Sequence, residues 1–149
     1  LILAQINTDN TDFMYFIDSE EAKQDYLHKE LTESVIRVFY EVYNTLGYGF
    51  IENVYQNSMY FALQDAGFEC EVQKDIDVFY KNRKVGSYRA DIIVNDTLLL
   101  ELKAVSELNE SHKRQLSNYL KATKFEVGLL LNFGERPQIR RWIYTNDNK

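Results

Sequence analysis

The sequence predicts a single mixed α/β domain, in which helices pack on a central β-sheet in the order α, α, β, β, β, α, β, β. Apolar residues recur first with the period of helices, then with that of strands, and then with that of helices again. Only one proline and six glycines interrupt the 149 residues, so no linker is expected to divide the chain. Residues 1–149 are therefore predicted to form one unit.

Two helices are expected in the first half of the chain. A long amphipathic helix is predicted to begin near residues 18–19, whose side chains suit an N-cap, and to stop at Gly47. A second helical pattern follows Gly49 and ends at Gly67, where glycine suits the end of a helix. Residues 1–17 are expected to be a peripheral lead-in to the domain.

The period changes after the second helix. Residues 68–80 alternate apolar and charged side chains, as in a half-exposed strand, with a break near Lys74 and Asp75. A tight turn at residues 95–96 is expected to join the next two strands as a hairpin. The later strands and the third helix are predicted over residues 85–94, 97–105, 110–123, 127–133 and 139–144.

Composition and charge limit the possible functions. Twenty-three acidic and 17 basic residues give a net charge of −6, which excludes a protein that coats nucleic acid by bulk electrostatics. Residues 101–149 are the basic third of the chain, so a phosphate-binding surface is expected there. Cys70, the single cysteine, excludes an intramolecular disulfide and a zinc finger and favours a cytoplasmic location. No transmembrane helix and no membrane partner are expected, because long apolar runs are absent.

Three residues on two neighbouring strands are the strongest candidates for chemistry. Strands joined by a tight turn run side by side, so Asp91 and Glu101 are expected to become neighbours. Glu101 and Lys103 are two residues apart and point to the same face. Burying such charges among leucines is costly unless they are paired or bind a metal. Two carboxylates beside a lysine suit a Mg²⁺ or Mn²⁺ site for phosphodiester hydrolysis. A solvated ion pair between the two strands would have the same sequence pattern and remains the alternative.

Four motifs in a fixed order resemble the GxxExxY family, a branch of the PD-(D/E)XK nuclease superfamily. They are Gly49-x-x-Glu52-x-x-Tyr55, Arg89-Ala90-Asp91, Glu101-Leu102-Lys103 and Gln115-x-x-x-Tyr119-Leu120. The resemblance covers residues 31–144 and implies a restriction-endonuclease-like core, a central mixed sheet flanked by helices. It also implies a metal-dependent nuclease, with DNA favoured over RNA. Ala90 stands in place of the motif's proline, which shapes the strand and donates no ligand.

The resemblance also implies roles for individual residues. Asp91, Glu101 and Glu52 would hold Mg²⁺ or Mn²⁺, with Lys103 beside them, and Gln115 would contact DNA or a water at the catalytic site. Taken alone, Glu52 is better explained as a solvated residue of the first helical turn. Gln115 is equally well explained as an exposed helix amide.

Two classes of function remain open at this point. The first is a Mg²⁺-dependent endonuclease, with a homodimer as an option because superfamily members that cut both strands often dimerise. The second is a non-catalytic module that binds nucleic acid or a partner protein, which the 21 aromatic residues favour. His112 and Tyr55 are expected to pack rather than to bind a ligand. Candidates for a phosphate-facing surface, or for an ordinary solvated face, are Lys113, Arg114, Lys121, Lys124, Arg136, Arg140 and Arg141.

Overall fold

A computed structural model describes residues 2–8, 11–17 and 27–149 of the chain. The helices are α1 (Lys29–Leu46), α2 (Glu52–Asp65) and α3 (Glu110–Ala122). The strands are β1 (Ile2–Thr8), β2 (Thr11–Ile17), β3 (Cys70–Tyr80), β4 (Arg83–Val94), β5 (Leu98–Lys103), β6 (Val127–Phe133) and β7 (Pro137–Ile143). The predicted fold class is confirmed: the chain forms a mixed sheet flanked by helices.

The strands form one seven-stranded sheet in the order β1-β2-β7-β6-β5-β4-β3. β5 and β6 run parallel, and α3 supplies the crossover that a parallel pair requires. All residues of β6 are buried, including the polar Asn132, which explains why its sequence shows no alternation of apolar and polar residues. β3 lies at the edge of the sheet, next to β4.

Two apolar cores lie on the two faces of this sheet. One joins α1 and α2 to strand residues such as Leu100 and Leu102, and the other joins α3 to residues such as Leu99 and Leu130. α3 lies close to β6 at Gly128, where an added Cβ would be 2.8 Å from the Leu116 side chain. The result is a three-layer arrangement with the sheet in the middle.

Several boundaries differ from the expectations. β1 and β2 form an antiparallel hairpin whose second strand pairs with β7 through Phe16 and Arg140, and this hairpin was not predicted from the sequence. α1 begins at Lys29, after His28 in the left-handed conformation, while the expected start at residues 18–19 lies outside the described residues. The break expected near Lys74 lies one residue earlier, at Gln73, whose positive φ interrupts the regular pairing with β4, although β3 continues through it as one strand.

The helices among the described residues give no sign of a membrane span, because none is long and apolar enough to cross a bilayer.

Candidate active site

Asp91 lies where β4 and β5 separate. The two strands pair as far as Ile92 and Leu100, which makes Asp91 and Glu101 the next positions in this register. The Asp91 carboxylate accepts a 2.8 Å hydrogen bond from the Leu102 backbone N–H through Oδ2. It thereby satisfies a buried donor at the point where β4 no longer pairs with β5. The structure brings the two predicted acids together.

β4 also changes face at Asp91. Even-numbered residues of one strand normally share a face, yet Tyr88 and Ala90 pack on the α3 side whereas Ile92 packs on the α1 and α2 side. On the neighbouring strand Gln73 has φ 51°, a left-handed conformation that interrupts regular pairing at the same level. The distortion therefore lies beside the carboxylate.

Glu101 is the acid with the strongest desolvation. The residue is 9 % exposed, and its Oε1 has no hydrogen-bond partner among the described residues. Burial raises the pKa of its carboxyl from 4.5 to about 7, while a backbone hydrogen bond from Asp91 and the charge of Lys103 act in the opposite direction. A buried carboxylate oxygen without a partner is an open ligand position.

Lys103 and Glu52 complete the group of charges. Desolvation raises the pKa of Glu52, at the start of α2, and that of Asp91. The Lys103 charge opposes these shifts at both acids, as it does at Glu101. The negative charge of Asp91 raises the pKa of Glu52 further. Three carboxyls on α2, β4 and β5 thus interact around one lysine.

The acids are not assembled into a closed ligand cage. Among the residues that the structure describes, no three histidine, cysteine, aspartate or glutamate side chains lie together as a ready-made metal-binding group. Glu52 is an exposed residue of the first turn of α2, whereas Asp91 and Glu101 are held by the sheet. The strand pair is therefore the fixed part of the site.

The first motif positions the start of α2. Gly49 precedes the helix with φ 106°, so it does not lie on a helical face with Glu52. A Cβ added at this glycine would meet no atom within 4 Å beyond its chain neighbours. Tyr55 donates a 2.6 Å hydrogen bond to the Gly47 carbonyl and accepts one from the Phe50 N–H. The tyrosine hydroxyl fixes the loop that leads into Glu52.

We expect Tyr55→Phe to destabilise the protein by about 1 kcal/mol, because the partly buried Gly47 carbonyl loses its donor while the ring packing stays. Urea unfolding measures the change. Tyr60→Phe is the matched control, because the Tyr60 hydroxyl only accepts an exposed hydrogen bond from Gln64. Equal stability of the two variants would contradict this role of Tyr55.

Two amides at this site, those of Gln73 and Gln56, were not predicted from the sequence. The Gln73 side-chain amide donates a short hydrogen bond to Gln56 Oε1 and a longer one, of 3.5 Å, to Asp91 Oδ1. Gln56 is buried on α2, one helical turn after Glu52. The amides link α2 to the Asp91 carboxylate across the distorted part of β3. The interrupted alternation near Lys74 was the only signal of this arrangement.

Gln115 lies on the surface of α3 and makes no described contact with Asp91, Glu101 or Lys103. The residue is exposed on α3, and its amide donates to the Tyr119 hydroxyl rather than to a carboxylate of the site. It lines a groove of about 420 Å³ together with Arg114 and Asn118. Tyr119 stacks on Tyr88 of β4, three residues before Asp91.

His112 caps α3 and is not simply packed in the core. Its Nδ1 accepts a hydrogen bond from the Asn109 N–H, and the Asn109 side chain accepts one from the His112 N–H. Desolvation lowers the pKa of His112, and the charge of Lys103 lowers it further. The charge of Lys103 at the site therefore acts on His112 at the start of α3.

Fewer of the expected basic residues are available to contact phosphates than the sequence predicts. Arg141 is buried and donates to the Leu27 carbonyl, so its inclusion in a phosphate-facing surface is wrong. Lys113 pairs with Glu110, and Lys124 pairs with Asp96 at the opposite end of β5. Arg114 is the member of this set that lines the α3 groove.

A family model described as the PD-(D/E)XK nuclease superfamily matches residues 29–142. This match covers most of the chain, and the chain therefore belongs to the PD-(D/E)XK nuclease superfamily. No curated protein and no solved structure matches it. The matched range includes α1, the two acids on the strands, Lys103 and α3.

Proposed function

We propose that this protein is a Mg²⁺- or Mn²⁺-dependent nuclease of the GxxExxY branch, which hydrolyses phosphodiester bonds of nucleic acid, DNA rather than RNA. The observation that carries the proposal is the pair of neighbouring carboxylates, Asp91 and Glu101, where β4 and β5 separate, with Lys103 beside them. Membership of a nuclease superfamily supports nucleic acid as the substrate.

The donor set fits a hard divalent cation. Asp91 and Glu101 provide carboxylate oxygens, and one of these, Glu101 Oε1, is buried without a partner. Oxygen ligands suit Mg²⁺ and Mn²⁺, which retain several waters and share substrate phosphates. Glu52 would complete the ligand set from α2. A bound ion supplies Lewis-acid polarisation of the phosphate and lowers the pKa of a water.

Lys103 contributes positive charge at the reacting phosphate. It is half-buried on the same strand face as Glu101, and its charge already favours the ionised form of all three acids. In the reaction it orients the attacking water or stabilises the negative charge that develops on the phosphate. Gln115 would contact the nucleic acid or a water from the α3 groove.

We expect Gln73→Gly to weaken Mn²⁺ binding by about tenfold, because the variant loses the amide that orients Asp91, and such outer contacts typically matter to this extent. Glycine adopts the left-handed conformation of this position without strain, so the backbone of β3 is kept. Titration calorimetry measures the affinity. The control is Gln64→Ala, which removes an exposed amide of α2 without placing a glycine in a helix. Unchanged affinity in Gln73→Gly would contradict a positioning role.

The proposal is tested by incubating the protein with plasmid, linear and single-stranded DNA and with RNA, in Mg²⁺, in Mn²⁺ and in EDTA. Cleavage is expected only with a divalent ion and only from the protein with an intact site. Asp91→Ala is expected to remove it. Cleavage that persists in Asp91→Ala or in EDTA would reveal a contaminant or another site and would refute the proposal, as would no cleavage of any substrate.

A non-catalytic interaction module is the second candidate function. Exposed Tyr48, Phe50 and Ile51 beside the start of α2 favour it, because exposed aromatic and apolar side chains are typical of contact surfaces. This function requires binding of nucleic acid or of a protein that survives Glu101→Ala and needs no divalent ion. Calorimetric Mn²⁺ binding that disappears in Asp91→Ala would favour the nuclease.

The proposal also includes a homodimer and a cytoplasmic location. Cleavage of both strands of a duplex is easiest when two copies act together, and light scattering of the purified chain tests for them. The free thiol of Cys70, whose pKa is raised to about 11 by burial, is compatible with a reducing compartment.

A further inference from the structure

The outer half of the β3–β4 hairpin extends beyond the rest of the sheet. β4 pairs with β5 only over Ile92–Val94, but it pairs with β3 as far as Arg83, opposite Tyr80. A two-residue turn at Lys81 and Asn82, both with positive φ, closes the hairpin. The hairpin end is therefore a two-stranded arm. We call residues 79–85 the hairpin tip.

The hairpin tip exposes large apolar side chains. Phe79 is 57 % exposed, and Tyr80 and Val85 are each 62 % exposed. Val85 is the extra residue of a β-bulge, because Val78 pairs with Gly86 and Phe79 pairs with Lys84. Exposing two aromatic rings on a narrow arm loses the apolar contacts that would stabilise the fold. A binding role accounts for this exposure.

The hairpin tip is also locally basic within an acidic chain. It contains Lys81, Arg83 and Lys84 and no acidic residue, whereas the whole chain has a net charge of −6. Lys84 pairs with Asp77, and the Lys81 ammonium lies 5.4 Å from the centre of the Tyr80 ring. The Arg83 side chain is exposed. Positive charge is thus concentrated where the aromatic rings are exposed.

We propose that the hairpin tip binds a single-stranded segment of the nucleic-acid substrate, with bases stacked on Phe79 and Tyr80 and phosphates near Lys81 and Arg83. Basic side chains beside exposed rings match the charge and the flat bases of a single strand. A symmetric contact between two copies would instead bring the basic tips together, which costs energy. The inference rests on the proposed function for its choice of nucleic acid.

The hairpin tip is far enough from the site to bind a separate part of the strand. Arg83 and Asp91 are eight residues apart on β4, which corresponds to about 26 Å along the strand. Bases bound at the tip are therefore several nucleotides away from the phosphate at Asp91 and Glu101. The tip would select substrates with an unpaired stretch at that distance.

Fluorescence anisotropy in EDTA tests this binding without cleavage. The probes are a labelled single strand of about 25 nucleotides, which is longer than common binding sites, and a blunt duplex of the same length. The double variant Phe79→Ala/Tyr80→Ala is expected to bind the single strand about tenfold more weakly and the duplex within about twofold of the unaltered protein. Phe61→Ala is the matched control, because Phe61 is 63 % exposed on α2, away from the hairpin tip. Circular dichroism checks that the variants fold.

A second variant tests the basic side chains. Lys81→Gln/Arg83→Gln is expected to weaken binding and to reduce the slope of log affinity against log salt by about one, because phosphate contacts release counterions. Unchanged single-strand binding in the aromatic variant, or equal loss for both probes, would overturn the proposal. So would failure of the unaltered protein to bind single strands, or a change only in self-association.

These results are separable from those of the nuclease proposal. Binding that depends on Phe79 and Tyr80 without any cleavage would keep the hairpin tip as a binding surface and refute the nuclease. Cleavage that depends on Asp91, with unchanged binding in the aromatic variant, would do the reverse.

Discussion

Glu101→Gln is expected to make the metal-free protein more stable at about pH 8, by on the order of 2–3 kcal/mol, because burial raises the pKa of this carboxyl from 4.5 to about 7. The neutral amide avoids the cost of a buried charge, and it has nearly the same shape as the acid. For a chain of this size the change corresponds to a rise in Tm of roughly 5–10 °C.

The pH dependence follows from the direction of the shift. The folded protein holds its proton on Glu101 more tightly than the unfolded chain does, so the stability that this group contributes is complete below pH 4.5. It is lost as the pH rises towards about 7. The pKa values of Asp91 and Glu52 are also raised, so these acids act in the same direction.

Thermal melts in EDTA over this pH range, followed by circular dichroism, check the prediction. Glu107→Gln, which alters an exposed carboxylate after β5, is the control and is expected to change little. Added Mn²⁺ is expected to stabilise the unaltered protein and not Glu101→Gln. Clear destabilisation by Glu101→Gln at about pH 8 would contradict the account and favour a structural ion pair with Lys103.

Lys103→Ala is expected to reduce DNA cleavage by about 10²–10³-fold, because a preorganised positive charge at the reacting phosphate is typically worth that much. Lys103 donates no metal ligand, so Mn²⁺ binding is expected to survive in this variant. Asp91→Ala is expected to lose both cleavage and Mn²⁺ binding. Single-turnover cleavage at saturating DNA, together with titration calorimetry, separates the two effects.

Lys124→Ala is the matched control for this experiment. Lys124 pairs with Asp96 on the surface, at the end of β5 opposite to Lys103, so its loss changes the net charge equally without changing the site. Equal cleavage by Lys103→Ala and Lys124→Ala would remove Lys103 from the reaction. A parallel loss of Mn²⁺ binding in Lys103→Ala would instead make the lysine a support for the ligands.

The central part of the fold could be predicted because its residues have one strong preference. The leucines of β5 and β6 have no polar alternation, so burial on both faces was the simplest explanation. Glu101 was conspicuous in the same way, since an ionisable side chain within such a strand has no role in packing. The local sequence pattern and the energetic cost of burying a charge were sufficient to predict these strands and this residue.

The remaining features depend on contacts between distant residues. The left-handed backbone of Gln73 and its contact with Asp91 arise from the distortion of the hairpin, which no short pattern specifies. Arg141 resembles a surface residue in sequence, yet it is buried against the Leu27 carbonyl. Gly49 has the spacing of a helical residue but lies in the loop before α2. The position of each is determined by tertiary packing.

The central claim is that Asp91 and Glu101 bind a divalent cation together. Anomalous diffraction from a crystal of the protein soaked in Mn²⁺ tests it most directly, because the signal locates the ion independently of any substrate. We expect a peak within coordination distance, about 2.0–2.2 Å, of carboxylate oxygens from both residues, and no peak in Asp91→Ala. A fully folded, Mn²⁺-saturated crystal with no ion between these two carboxylates would contradict the account.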